Sequence, residues 1–264
     1  MAADSDHLEE IPEEVAMLVS MLGNEHHAYW SNTYIKELNE LSQAMADGNP
    51  DPMEKLFVWF GKMNMVYTAN VIQGADLNIR HDAAILDVGC GNGFFCEVLH
   101  ALGFTNIVGL DYSMEAINLA NEVQSYFRKQ KSDLQSWGTR YVCDDVLNTS
   151  LEKESFRLIH DSGTLDSIAM TVPDRGARGT LGGLHGQRSD SQDETGLESS
   201  GAIGYFRNIA ALLEPGGFLL LKTCNHSLDE IQQLASSSSC GLAMCKGLIR
   251  RFRQWSQGRN HEES

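Results

Sequence analysis

No stretch of this 264-residue chain reaches the roughly 20 consecutive apolar residues of a membrane-spanning helix, so no span is expected. Its first residues are acidic and lack the basic and apolar segments of a secretory leader, so none is expected. Basic residues are scarce: 20 Lys and Arg stand against 36 Asp and Glu, a net charge of −16. That deficit opposes direct nucleic-acid binding, which relies on cations at the phosphates. It leaves two readings open, steering of a basic protein partner and solubility alone. The six cysteines form no C-x-x-C pair, and Cys90 and Cys96 lie in and beside a glycine-rich turn that a disulfide would distort. They read as the reduced thiols of a cytoplasmic protein. His26 and His27 have no cysteine or carboxylate at zinc spacing, so no metal site is expected.

What the chain does contain is Ile85-Leu86-Asp87-Val88-Gly89-Cys90-Gly91-Asn92-Gly93. Residues 83–88 read as a short apolar strand, and 94–102 carry apolar residues at helical spacing, so the glycines fall on the turn between them. Glycine there tolerates positive φ and leaves the backbone open to a ligand. The helix start adds unpaired N–H groups that suit an acidic or polar ligand group. A second strand, 106–111, ends in Asp111, placed to accept from both ribose hydroxyls of a nucleoside. In the nicotinamide fingerprint G-x-G-x-x-G the third glycine would fall at Phe94; here it comes one residue early, at Gly93. Asp87 would repel a pyrophosphate and attract a cation. The charge logic favours S-adenosylmethionine, which carries an ammonium and a sulfonium and no phosphate.

The length fits one large domain with additions. A helix is expected over 12–22. A second, amphipathic one runs through Trp30, Tyr34, Leu38, Leu41 and Met45 to Gly48-Asn49-Pro50, and a third spans 57–73. From residue 83 strands alternate with helices: strands at 83–88, 106–111, 140–143, 156–161 and 217–223, helices at 94–102, 113–129, 164–170 and 203–213. This predicts an α/β fold with a doubly wound, mostly parallel sheet. Ligands of such sheets bind at the carboxyl ends of the strands, where Asp87, Asp111, Asp145 and Asp161 fall. Residues 174–201, with seven glycines and no apolar periodicity, predict a flexible surface insertion, with a lid as the second reading. In the tail, Leu248, Ile249, Phe252 and Trp255 interleave with Lys246, Arg250, Arg251 and Arg253. Either an amphipathic helix for an acidic surface or membrane, or an irregular terminus, fits that pattern. The chain divides into an N-terminal helical extension (1–79), a main domain (80–230) and an atypical, poorly ordered tail (231–264).

The glycine turn, Gly109-Leu110-Asp111-Tyr112-Ser113 and Asp144-Asp145-Val146 together resemble class I S-adenosylmethionine-dependent methyltransferases. That resemblance implies a Rossmann-like fold and S-adenosylmethionine as cofactor, held by Trp30, Asp87, Gly89, Cys90, Gly91, Gly93, Asp111, Tyr112, Asp144, Asp145 and Val146. Trp30-x-x-x-Tyr34-x-x-Glu37-Leu38 with Trp59-Phe60-Gly61 resembles the N-terminal region of elongation factor 1-alpha lysine methyltransferases of the methyltransferase-like protein 10 type. Asp161-Ser162-Gly163-Thr164-Leu165-Asp166 and Pro215-Gly216-Gly217-Phe218 through Lys222-Thr223-Cys224-Asn225 resemble later segments of the same family. The likeness spans about 26–173 and 203–230 and implies a cytoplasmic, monomeric protein-lysine N-methyltransferase acting on elongation factor 1-alpha. It assigns Asp161, Gly163, Thr164 and Asp166 to the methyl-transfer opening as catalytic residues, and Tyr34, Trp59, Phe60 and Asn225 to the substrate. Three departures stand out: Ser162 where that family usually has lysine, the 174–201 insertion, and a tail unlike the family's closing strands. Two other readings remain, a different acceptor and a weakly active cofactor-binding interaction protein. A nicotinamide oxidoreductase, opposed by Phe94, is a distant fourth.

Overall fold

The computed structural model describes residues 26–74, 77–130, 138–171 and 201–243. The helix expected at 12–22, nearly all of the 174–201 insertion and the tail beyond 243 lie outside them. Among the described residues five strands form one sheet: β1 (Ile85–Val88), β2 (Ile107–Asp111), β3 (Arg140–Cys143), β4 (Phe156–Ser162) and β5 (Leu213–Lys222). Their order is β3-β2-β1-β4-β5, and every pair is parallel. The chain thus moves outward from β1 in one direction, then crosses back to β4 beside β1. That reversal puts a crevice at the carboxyl ends of β1 and β4, where ligands of open α/β sheets bind.

Seven helices are described: α1 (His26–Ala46), α2 (Lys62–Gln73), α3 (Phe94–Ala101), α4 (Met114–Gln130), α5 (Thr164–Thr171), α6 (Ala202–Leu212) and α7 (Leu228–Ser237). Parallel strands need helical crossovers that cover both faces, which is why β1 and β2 are buried along their whole length without alternation. Ile85, Ile107 and Leu158 face α2 and α3, meeting Met65, Ala69, Ile72, Phe95 and Leu99. Leu86, Val88, Val108, Leu110 and Ile159 face the other way, onto Tyr205, Phe206 and Ile209 of α6 and Ile231 of α7. A third cluster, to which α1 and the 3₁₀ turn at Pro52–Lys55 contribute Leu41 and Met53, joins Leu56 to Leu119 and Val123 of α4 and docks the N-terminal extension.

The expected strands and helices of the main domain are all present, with shifted ends. The helix expected over 57–73 begins only at Lys62, because Gly61 caps it with φ +82°, outside the helical region. Residues 57–60 are therefore loop. Strand β5 starts at Leu213, ahead of Pro215-Gly216-Gly217, and a register shift between Phe156 and Leu158 absorbs the irregularity. Proline is compatible with this strand because, among the described residues, β5 pairs only with β4 and stands at the edge. The division drawn at residue 230 falls inside a helix. In α7, Ser227 Oγ accepts from Glu230 N (3.3 Å), the Glu230 carboxylate accepts from Ser227 N (2.7 Å), and Ile231 is buried. A capping box with an apolar anchor holds that part of the tail in place.

Candidate active site

The β1–α3 turn is shaped by backbone. Gly89, Gly91 and Gly93 have φ of +63°, +53° and +73°, a region that L side chains rarely enter. A Cβ on Gly93 would also collide with the Tyr141 hydroxyl and come 3.0 Å from Ala120 Cβ; one on Gly89 would collide with Thr164 Oγ1. Cys90 is buried and its N–H donates to Leu110 O (3.0 Å). Burial pushes its thiol well above the usual range, with Asp111 and Asp87 adding to the effect. Asp111 ends β2 and closes the turn: Oδ2 accepts from Gly91 N and Oδ1 from Ser113 N, each at 3.0 Å. A side-chain-free turn beside an oriented carboxylate fits a nucleoside with a cationic amino-acid end.

Asp87 is placed differently from the expectation. It is 3% exposed, its Oδ1 lies 2.7 Å from Nδ1 of the fully buried His160, and its Oδ2 accepts from Cys96 Sγ at 3.6 Å. It braces β1 against β4 beneath the turn and does not present its carboxylate to a ligand's ammonium. Past β3, the Asp144 carboxylate accepts from Asp145 N, Thr149 Oγ1, Ser150 N and Ser150 Oγ at 2.8–3.0 Å. Burial would raise its pKa, but these bonds outweigh burial and hold it below the usual carboxylate range. Asp145 is exposed and accepts from Leu147 N (2.9 Å). Val146 turns its side chain into the core, so only its backbone can face a ligand.

An aromatic wall from the N-terminal extension stands over the turn. Trp30 stacks on Tyr34 (centroids 5.9 Å) and meets Trp59 edge-on (5.6 Å). The Tyr34 hydroxyl would lie 3.1 Å from a Cβ on Gly91. Burial, then Asp111, pushes that phenol well above its ordinary range. Trp59 and Phe60 close on Gly163, whose Cβ would come 3.0 Å from Trp59 Cδ1 and 3.7 Å from Phe60 Cε2. Glu37 fixes the wall: its Oε1 accepts from Phe57 N (2.7 Å) and from Asn92 Nδ2 (2.8 Å), and Asn92 also donates to Phe57 O (2.7 Å). Burial raises the Glu37 pKa despite those bonds. Ser31 Oγ and Ser113 Oγ both donate to Glu115 Oε2, at 2.9 and 2.8 Å, pinning α1 beside the exit of β2.

At the exits of β4 and β5 the side chains carry the structure. Asp161 is fully buried and caps α5, accepting from Thr164 N (2.8 Å), Leu165 N (3.0 Å) and Tyr205 Oη (2.5 Å). Burial dominates and pushes its carboxyl up to about 7. Asp166, 2% exposed, gathers the β5 exit, accepting from Thr223 Oγ1, Cys224 N (2.9 Å) and Asn225 N (3.4 Å), with His226 Nδ1 at 3.1 Å. The expectation that both carboxylates face the opening is therefore corrected, since burial turns them into organisers of it. Gly163 and Thr164 stand where the two strand exits meet: Thr164 Oγ1 donates to Val88 O (2.9 Å), stitching β4's exit to β1's. Asn225 is exposed, and Tyr112 is partly buried at the start of the loop after β2.

Residues that the sequence reading passed over are Glu37 and Asn92 as the clamp, Ser31 and Glu115 as the pin, His160 and Tyr205 as partners of aspartates, and Lys222. Glu37 and Asn92 stood inside quoted motifs, and their burial was the missing signal. Among the described residues no cluster of three or more His, Cys, Asp or Glu could hold a metal, and no helix is long and apolar enough to cross a membrane.

With that geometry in place, comparison with known proteins gives consistent results. A model of the methyltransferase domain family matches residues 29–263. EEF1A lysine methyltransferase 2 of Danio rerio is 26% identical over 206 residues, 78% of this chain and 71% of the relative. The Homo sapiens protein of the same name is 28% identical over 220 residues, 83% of this chain and 75% of the relative. Among solved structures, geranyl diphosphate C-methyltransferase from Streptomyces coelicolor, in complex with S-adenosyl-L-homocysteine, superposes with a TM-score of 0.40 at 14% identity, covering 66% of this chain and 53% of that one. A likeness that slight bears no weight on function.

Proposed function

The chain belongs to the methyltransferase domain family, and from that premise we propose that it methylates a lysine amine of translation elongation factor 1-alpha in the cytoplasm. Its cofactor is S-adenosylmethionine. What carries the acceptor assignment is the likeness to two EEF1A lysine methyltransferase 2 proteins over about four-fifths of the chain. The site supports it with a cluster of aromatic rings, whose faces attract cations.

When bound, the cofactor supplies a methyl group on a sulfonium, which leaves readily. The chain's own residues have to bind, align and dry the reactants. In this reading Gly89, Gly91 and Gly93 admit the amino-acid end, Asp111 accepts from the ribose hydroxyls, and Asp145 with the Val146 backbone meets the adenine edge. Cys90, Tyr112, Asp144 and Asp87 hold those groups in place, and Trp30 and Tyr34 close over them. Gly163 and Thr164 border the opening, with Asp161 and Asp166 as its positioning residues. Trp59 and Phe60 flank the lysine stem, and Asn225 bonds the acceptor backbone. Desolvation between the rings lowers the amine's pKa, so it can lose its proton to water without a strong base.

The test is to incubate the purified protein with methyl-labelled S-adenosylmethionine and purified elongation factor 1-alpha, then map the label by mass spectrometry. Label on one lysine of the factor supports the proposal. Label confined to other proteins of a cytosolic extract, or to none, overturns the acceptor assignment.

A further inference from the structure

Lys222 is a cation in an unusual setting. It is the last residue of β5, directly across the register from Ser162, and its carbonyl accepts from Gly163 N (3.0 Å). Its ammonium donates to Thr68 Oγ1 (2.8 Å) and Asn64 Oδ1 (3.1 Å) on α2 and lies 5.4 Å from the Phe60 ring centroid. None of the ion pairs among the described residues involves it. Burial lowers its amine to about 8, against the pull of Asp87. An apolar side chain of that length would pack there without the desolvation cost of a charge. The charge does something specific: it attracts the face of one ring in the 57–61 loop while bonded to a helix.

We propose that Lys222 is a positioning residue whose ammonium fixes the 57–61 loop over the carboxyl ends of β4 and β5. Phe60, which Lys222 holds, and Trp59 occupy the space that a Cβ on Gly163 would need, and Thr164 next to it occupies the space that a Cβ on Gly89 would need. Phe57 N and O are already held on the far side by Glu37 and Asn92. The loop is thus fastened at both ends, and Lys222 supplies the fastening nearest to methyl transfer. The catalytic half of this inference rests on the reading given under Proposed function; the loop-fixing half does not.

The experiment compares wild type, Lys222→Met and Lys222→Arg in a Trp137→Phe, Trp255→Phe background, leaving Trp30 and Trp59 as reporters. Lys222→Met is expected to raise acrylamide quenching at least twofold, to keep cofactor affinity within threefold by calorimetry, and to lower kcat about tenfold. KM for the acceptor should change less than threefold, and Lys222→Arg should restore quenching and kcat to within threefold of wild type. Unchanged quenching in Lys222→Met, unchanged kcat with a loosened loop, or failure of Lys222→Arg to rescue overturns the proposal. Should Lys222→Met not fold, Phe60→Leu replaces it, removing the ring and keeping the charge, and wild-type quenching there overturns the proposal. If the wild type methylates no acceptor, the proposed function has failed, while the quenching comparison still decides whether Lys222 fixes the loop.

Discussion

The carboxylates that end β2 and β4 lie two strands apart in one sheet, and they are held in opposite ways. Asp111 receives two backbone N–H groups from a turn that glycine φ values create. Asp161 is sealed in the core and relies on a tyrosine hydroxyl from α6 together with the first N–H groups of α5. The first arrangement is made of backbone and has no room for an added atom. The second is made of buried ionisable side chains, so it responds to protons. A site built this way combines a rigid half at the ends of β1 and β2 with a tunable half at the ends of β4 and β5.

The largest effect that would break this contrast is a pH response. The Asp161 carboxyl rises from 3.8 to about 7 on folding, so between those values the native state binds a proton that the unfolded chain has released. Stability from this group is present at low pH and is lost as pH rises toward 7, by about 1.4 kcal/mol per unit and about 4 kcal/mol in all. Glu97, also raised to about 7 by burial, slopes the same way; His100, lowered to about 4, slopes the opposite way. Subtracting urea melts of Asp161→Asn from those of wild type between pH 4.5 and 7.5 isolates Asp161. Parallel curves would mean that the Asp161 carboxyl does not gain a proton on folding. The next largest effect concerns space. Gly93→Ala places a methyl group against Tyr141 and Ala120 at positive φ, and about 3 kcal/mol of stability should be lost, from strain and overpacking together. A loss below about 1 kcal/mol in urea would show that the turn yields and is not the rigid half.

The same contrast governs what was legible in the sequence. The β1–β2 half is local: strand, glycines and Asp111 lie within about one βαβ unit, and their period and residue types announce them. The β4–β5 half is assembled from distant pieces. His160 meets Asp87 across 73 positions and Tyr205 meets Asp161 across 44, and neither pairing leaves a mark on local pattern. Asp87 read as ligand-facing because strand-end carboxylates usually are; a buried histidine one strand away turned it inward. Ser162 was noticed as the place where the resembled family carries lysine, yet only the register reveals Lys222 directly opposite. The α7 capping box is readable in Ser227-x-x-Glu230, and it marks a helix that a boundary at residue 230 cuts.

The smallest expected effect sharpens the comparison by asking what couples the extension to the rigid half. Ser31 and Ser113 share one carboxylate oxygen of Glu115, so the pin joins α1 to the residue whose N–H holds Asp111. Ser31→Ala removes one donor from a partly buried carboxylate that keeps another, which sets the loss at about 1 kcal/mol. The packing of Leu41, Met53 and Leu56 on α4 continues to hold the helix down. Cofactor affinity should then fall no more than about fivefold, since 1 kcal/mol is a factor of about 5. Hydrogen exchange should speed up in residues 28–36 and leave α4 beyond Ala120 unchanged. An equal acceleration along all of α1 would mean that the pin, and not the apolar cluster, is what fastens the extension over the glycine turn.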